Sequence, residues 1–266
     1  MRIFAIRDDG IPERPVGWLI YFEESKSFYA ELPDGADPWE TPLLLSSFAE
    51  RKIYTVDAYF SKMWVQLRVI PPDRQNIGQI LKENHLSEYD EFKLLVLSDG
   101  RCSQDDCYIE EISELPEDIQ KRRETMLLEV SPLRGRKLLV FFRNGVTKEY
   151  TMPEDLPPVF QPVLAREELF RAVAIEPGGY GVYWGERAAI GHERLYREGT
   201  EVPISLEDLK TFISARVVNS AEAAETLNCT RQNIDDLIRR GKLHPIRQDS
   251  KNKLFLKSEI ERRVNG

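Results

Sequence analysis

The stretch from residue 219 to residue 241 constrains this chain most, because apolar side chains recur there at helical spacing on both sides of a break. Ser220 is a good N-cap, and a helix over residues 221–227 turns Ala224 and Leu227 inward. Asn228 tolerates the left-handed backbone of a tight turn, and Thr230 follows as the N-cap of a second helix reaching residue 240. Gly241 ends it. Ile234, Leu237 and Ile238 fall at i, i+3 and i+4, so one stripe of the second helix is buried against the first. Two short helices, a tight turn and small residues at the crossing predict a helix-turn-helix.

At about 100° per residue, the face opposite that stripe carries Gln232, Asp236 and Arg239, flanked by Asn233 and Arg240, with Thr230 and Arg231 at its start. Arginine matches the two major-groove acceptors of guanine, and glutamine or asparagine matches adenine. Asp236 repels phosphate unless it accepts from a cytosine amine or pairs with Arg239 or Arg240 across the helix. Residues 242–247 and 253–256 then flank a polar turn, which predicts a hairpin. Lys242, Arg247, Lys251, Asn252 and Lys253 lie on this hairpin and suit phosphate contacts that set register without reading sequence. Ser258 with Glu261 reads as a capping box opening a last helix.

These residues resemble the winged helix-turn-helix of the MerR and excisionase type. The likeness rests on Ser220, Ala223, Ala224, Leu227, Thr230, Ile234, Leu237, Gly241, Lys242 and Leu243, then the basic hairpin and closing helix. Asn228 stands where that family often has glycine. The resemblance covers the last fifth of the chain and implies a domain over residues 219–266 that binds double-stranded DNA. Taken alone, the residues also admit a helical hairpin that docks on protein or dimerises.

A chain of 266 residues suits two or three domains. With 41% apolar and 31% charged residues, it can build real cores and is expected to be soluble. No apolar run approaches the roughly 18 residues of a spanning helix, and the first residues lack a secretory segment, so a cytoplasmic protein without a membrane partner is expected. Cys102, Cys107 and Cys229 are too scattered for a disulfide scaffold. The net charge of -8 hides an asymmetry: residues 1–123 carry 15 basic and 24 acidic side chains, residues 124–214 carry 11 and 14, and residues 215–266 carry 11 and 7. A basic tail on an acidic body fits a DNA-reading module attached to a body that does not bind DNA.

The expected class is therefore α+β and multidomain: a mixed domain over 1–123, a small α+β domain over 124–204, a helical connector over 205–218 capped by Ser205, and the winged helix-turn-helix. Residues 1–123 resemble no family. Strands are expected over 2–6, 17–22 and 27–32, the last two as a hairpin. A helix over 59–70 should bury a stripe of Tyr59, Met63, Leu67 and Ile70, with Phe60 and Trp64 beside it. Further helices are expected over 76–84 and 88–97, the latter capped by Ser87, and a short one through Ile112 capped by Ser103 or Asp105. Cys102, Asp105, Asp106 and Cys107 lack the second cysteine pair or histidines of a structural zinc site, and His85 has no companion, so no metal is expected. Residues 115–124 read as a charged connecting helix or linker.

In the middle segment, strands are expected over 126–130, 137–142 and 146–151, the last two joined through Asn144 and Gly145, with another hairpin about Pro177, Gly178 and Gly179. Phe142, Asn144, Gly145, Leu169, Phe170, Val173, Gly178, Gly179, Trp184, Ile190, Leu195 and Tyr196 resemble a small bacterial domain known only as domain of unknown function family 2442. Ala189 departs from it, standing where an acidic residue is expected before Ile190. That family has no established chemistry and often accompanies toxin–antitoxin genes or helix-turn-helix modules, which implies a regulatory setting. Trp184 and Tyr196 either line a pocket or pack the core.

The leading expectation is a sequence-specific transcriptional regulator, a repressor or antitoxin, whose front domains form a homodimer or bind a protein partner. The alternative is an interaction adaptor of a phage or mobile element whose tail docks on protein. His85, His192 and His244 are spread over three regions, and no nucleophile motif or phosphate-cradling glycine loop is present, so neither an enzyme nor a cofactor is expected.

Overall fold

A computed structural model describes residues 1–185, 188–249 and 252–264. The chain is mixed α and β and divides into two compact units, one of residues 1–144 and 148–201, the other of residues 145–147 and 202–266. The boundary expected near residue 123 falls inside the first unit.

That unit opens with a five-stranded antiparallel sheet of β1 (Arg2–Asp8), β2 (Gly17–Phe22), β3 (Ser27–Glu31), β4 (Thr55–Val56) and β5 (Cys107–Ile112), in the order β4-β3-β2-β1-β5. Both faces are covered, which is why β2 reads as an unbroken apolar run rather than an alternation. On one face Phe4, Ile6, Leu19, Tyr21, Phe28 and Ala30 pack with Trp64, Val65, Phe92 and Leu95. On the other, Ala5, Trp18, Ile20 and Tyr29 pack with Leu115, Ile119, Met126 and Tyr180.

Five helices accompany this sheet: α1 (Ser46–Glu50), α2 (Ala58–Gln66), α3 (Ile77–Glu83), α4 (Glu91–Leu97) and α5 (Glu117–Arg122). Three expectations are corrected here. In α2 the buried side chains are Ser61, Trp64 and Val65, while Tyr59 is exposed, because the Asp57 cap and the sheet together set the helix rotation. Asp90, not Ser87, caps α4, its carboxylate accepting from the Lys93 N–H at 3.1 Å. Residues 107–112 form a strand rather than a helix, held by antiparallel pairing of Ile109 with Ile6 and Cys107 with Asp8. Of the connecting helix or linker expected over 115–124, the structure shows the helix, α5, and it is packed: Ile119 is fully buried and Arg122 reaches Glu31 at 2.8 Å.

The remainder of this unit holds β6 (Leu127–Leu133), β7 (Lys137–Phe142) and β8 (Thr147–Thr151), then α6 (Gln161–Ala165) and α7 (Glu167–Arg171). After these come β9 (Ala174–Ile175), β10 (Gly181–Trp184), β11 (Ala188–Gly191), α8 (His192–Glu198) and β12 (Thr200–Glu201). They make a four-stranded sheet, β12-β8-β7-β6, and a three-stranded sheet, β11-β10-β9. Trp184 is core: it is buried, and its indole N–H donates to the Phe170 carbonyl at 2.9 Å. Gly179 has φ +82°, and a Cβ there would lie 2.3 Å from the Leu127 carbonyl oxygen, so this turn admits only glycine.

The second unit contains α9 (Leu206–Arg216), β13 (Val217–Asn219), α10 (Ser220–Thr226), α11 (Arg231–Arg239), β14 (Arg247–Gln248), β15 (Lys253–Leu256) and α12 (Lys257–Val264). Ser205 caps α9 in a reciprocal box with Asp208. The strands form a small antiparallel sheet in the order β13-β15-β14. Ala223, Ala224, Ile234, Leu243, Phe255 and Ile260 make its core.

Candidate nucleic-acid interface

The helix pair is built by its caps and its turn. Asn219, rather than the expected Ser220, is the cap of α10: its side-chain oxygen accepts from the N–H groups of Ala221 and Glu222, and Glu222 accepts in return from the Asn219 N–H at 2.8 Å. One amide oxygen accepting twice satisfies two orphan N–H groups of the first turn. Asn228 lies in the left-handed region at φ 48°, and the Cys229 N–H returns to the Ala224 carbonyl at 2.9 Å, closing the turn. Thr230 caps α11 by accepting from the Asn233 N–H at 3.3 Å.

With Ile234 fully buried and Leu237 and Ile238 half-buried against the alanine pair, the rotation of α11 is fixed. Arg231, Gln232, Asn233, Arg239 and Arg240 are all exposed, and Asp236 is half-buried beside them. The structure thus brings Gln232, Asp236 and Arg239 together on one outward face. Asp236 accepts from Arg239 one turn on, with the two side chains 41% and 76% exposed.

Asp235, which the pattern of apolar residues does not single out, stands on the edge of the same face and accepts from the Lys253 ammonium of β15. Lys253 is therefore drawn onto the helix rather than standing clear on the hairpin, its side chain only 23% exposed. Both carboxylates of α11 are neutralised by a neighbouring cation, while Arg231, Arg240 and Lys242 have no ion pair among the described residues. Arg247 lies 4.0 Å from Asp249 and remains exposed. Asp249 and Asn252 close the hairpin tip, the Asn252 N–H donating to the Asp249 carboxylate at 2.6 Å. Lys251 lies outside the described residues.

The last helix differs from its expected start. It begins at Lys257, so Ser258 is already inside it, and Glu261 lies 3.9 Å from the Lys257 ammonium instead of completing a box with Ser258. Glu259 accepts from the His244 N–H at 2.9 Å. Arg263, missed by the sequence reading, donates to the Lys242 carbonyl and pins the segment after Gly241.

A second set of buried polar groups is not indicated by local sequence pattern. In the first unit Glu31 is fully buried beside Arg122 and shares the Thr55 hydroxyl with Glu193, at 3.1 and 3.0 Å. Burial pushes the Glu31 carboxyl up to about 7 against the opposing pull of Arg122. His192 is buried too, 3.1 Å from the Thr125 hydroxyl, and burial takes it down to about 4. These groups lie against the buried seam that joins the five-stranded sheet to Met126 and Tyr180.

No known protein family, curated protein or solved structure matches the chain.

Proposed function

We propose that residues 219–266 form a winged helix-turn-helix that reads double-stranded DNA, and that the chain is a sequence-specific regulator of the repressor or antitoxin kind. The observation that carries this reading is the outward face of α11, where Gln232, Arg239 and Arg240 are exposed on a helix held rigidly by Ile234, with both aspartates neutralised.

Energetics favour this use of the face. An exposed ion pair such as Asp236 with Arg239 contributes about 0.3–0.5 kcal/mol, whereas a bidentate arginine–guanine contact discriminates by about 1–3 kcal/mol. Arg239 can therefore leave Asp236 for a base at a net gain. Arg231, Lys242 and Arg247 suit the flanking phosphates. Lys253 acts by holding the hairpin to α11, so it positions the phosphate-binding arm instead of forming part of it. One α11 covers a single major-groove half-site, so the proposal includes a homodimer on a two-fold site. No helix among the described residues is long and apolar enough to cross a membrane.

Salt dependence tests the reading. Retention on duplex DNA should fall linearly on a log–log plot against salt, with a slope reporting several released counterions. A chain whose tail docks only on protein gives no such retention.

A further inference from the structure

A pocket of about 600 Å³ opens in the first unit between the β6–β7 turn and the α6–α7 pair. Its apolar lining comes from Leu133, Leu164, Ala165 and Phe170, and its charged lining from Arg134 and Arg136 of the turn and Glu167 and Arg171 of α7. Arg134 and Arg136 are exposed and have no ion pair among the described residues. Arg171 is held by Glu167, which accepts from its Nε at 3.0 Å and its Nη2 at 2.6 Å. Glu167 and Arg171 also line an adjoining opening with Arg166 and Glu168.

Three guanidinium groups against one carboxylate leave a surplus of two positive charges around one concavity, in a chain whose net charge is -8. Arg134 and Arg136 flank Gly135 in a three-residue loop between the paired Leu133 and Lys137, and both line the pocket. Like charges held together repel unless an anion sits between them. Guanidinium forks match phosphate and carboxylate oxygens bidentately. A phosphate monoester carries a charge of about -1.5 to -2 at neutral pH, which matches the surplus better than a monocarboxylate does. Gly135 has no atom within 4 Å of its missing Cβ, so the turn's backbone is also open to approach. The volume falls in the range of roughly 300–1,000 Å³ usual for small-molecule sites, and the apolar lining residues suit the organic body of such a ligand.

We propose that this pocket binds a small phosphate monoester, recognised by Arg134, Arg136 and Arg171, with Glu167 as an internal competitor for Arg171. The inference is independent of the DNA reading. Titration calorimetry of the full chain at constant ionic strength should give saturable one-to-one binding of ribose 5-phosphate, weaker binding of inorganic phosphate and none of ribose. R134A/R136A, both at exposed positions, should weaken binding by about tenfold or more, and E167Q should tighten it at least about twofold by releasing Arg171. A thermal melt confirms that each variant folds. The proposal is overturned if neither phosphate compound saturates by about 10 mM, if R134A/R136A binds as the native chain does, or if succinate binds while the phosphate compounds do not. It is equally overturned if R134A/R136A loses duplex DNA affinity without any phosphate response, since the turn is then a nucleic-acid surface.

Discussion

Replacing Arg239 by alanine separates base reading from mere charge. Arg239 is 76% exposed and, among the described residues, its one ion pair is with Asp236, so its loss should leave folding almost unchanged, within about 0.5 kcal/mol. On the selected DNA site the variant loses a bidentate base contact of about 1–3 kcal/mol, which is roughly a five- to 150-fold weaker Kd. On scrambled DNA it loses at most one loose phosphate contact, so the loss there should be about threefold or less and the salt slope should fall by no more than about 0.9. Asp236→Asn should act oppositely, tightening both, since it removes a carboxylate and frees Arg239. Fluorescence anisotropy on the two duplexes at two salt concentrations measures all of these. Equal losses on both duplexes for Arg239→Ala would refute base readout by that residue.

Other expected outcomes follow from the same contacts. Ile234→Ala should cost about 2–5 kcal/mol in the stability of the second unit, because Ile234 is fully buried in its core; urea denaturation followed by a signal from that unit checks it. Asn219→Ala removes the box at the start of α10 and should cost about 1 kcal/mol in the same assay, whereas Ser220→Ala should be near neutral. Lys253→Ala should weaken DNA binding chiefly by loosening the hairpin, so that rates of amide hydrogen exchange across β14 and β15 rise even without DNA. In the first unit, His192 is held near 4 against an ordinary value of 6.5, so its burial as the neutral form stabilises fully above pH 6.5 and is progressively lost as pH falls toward 4. His192→Gln does not titrate, so the destabilisation it causes should be smaller at pH 5 than at pH 7 by about 2 kcal/mol. A pH-independent difference in chemical denaturation would contradict that reading of His192.

What could be read in advance was what local chemistry decides. The hairpin of β2 and β3, the turn at Asn228, the Thr230 cap and the Ile234 stripe each depend on residues within a few positions of one another. The errors have two physical sources. Neighbouring residues compete as caps, and the winner is set by backbone angles invisible in sequence, as with Asn219 over Ser220 and Asp90 over Ser87. Distant pairing overrides local preference, as in β5, where the partners Ile6 and Ile109 are separated by most of the first sheet's sequence. The seam of Glu31, Arg122 and His192 was hidden for the same reason, since its members come from three separate regions of the chain. On α11, Asp235 was overlooked because its partner Lys253 arrives from the hairpin, and only the folded unit shows that their charges cancel.

The central claim is that α11 reads DNA, and selection of genomic fragments tests it most directly. Purified full-length protein and a variant carrying R239A, R240A and R247A would be incubated with sheared genomic DNA at two salt concentrations, and the retained fragments sequenced. The account predicts that the native chain enriches a short two-fold site whose retention weakens with salt, and that the variant enriches nothing. Enrichment of the same site by both proteins, or retention of no DNA by either, would contradict it.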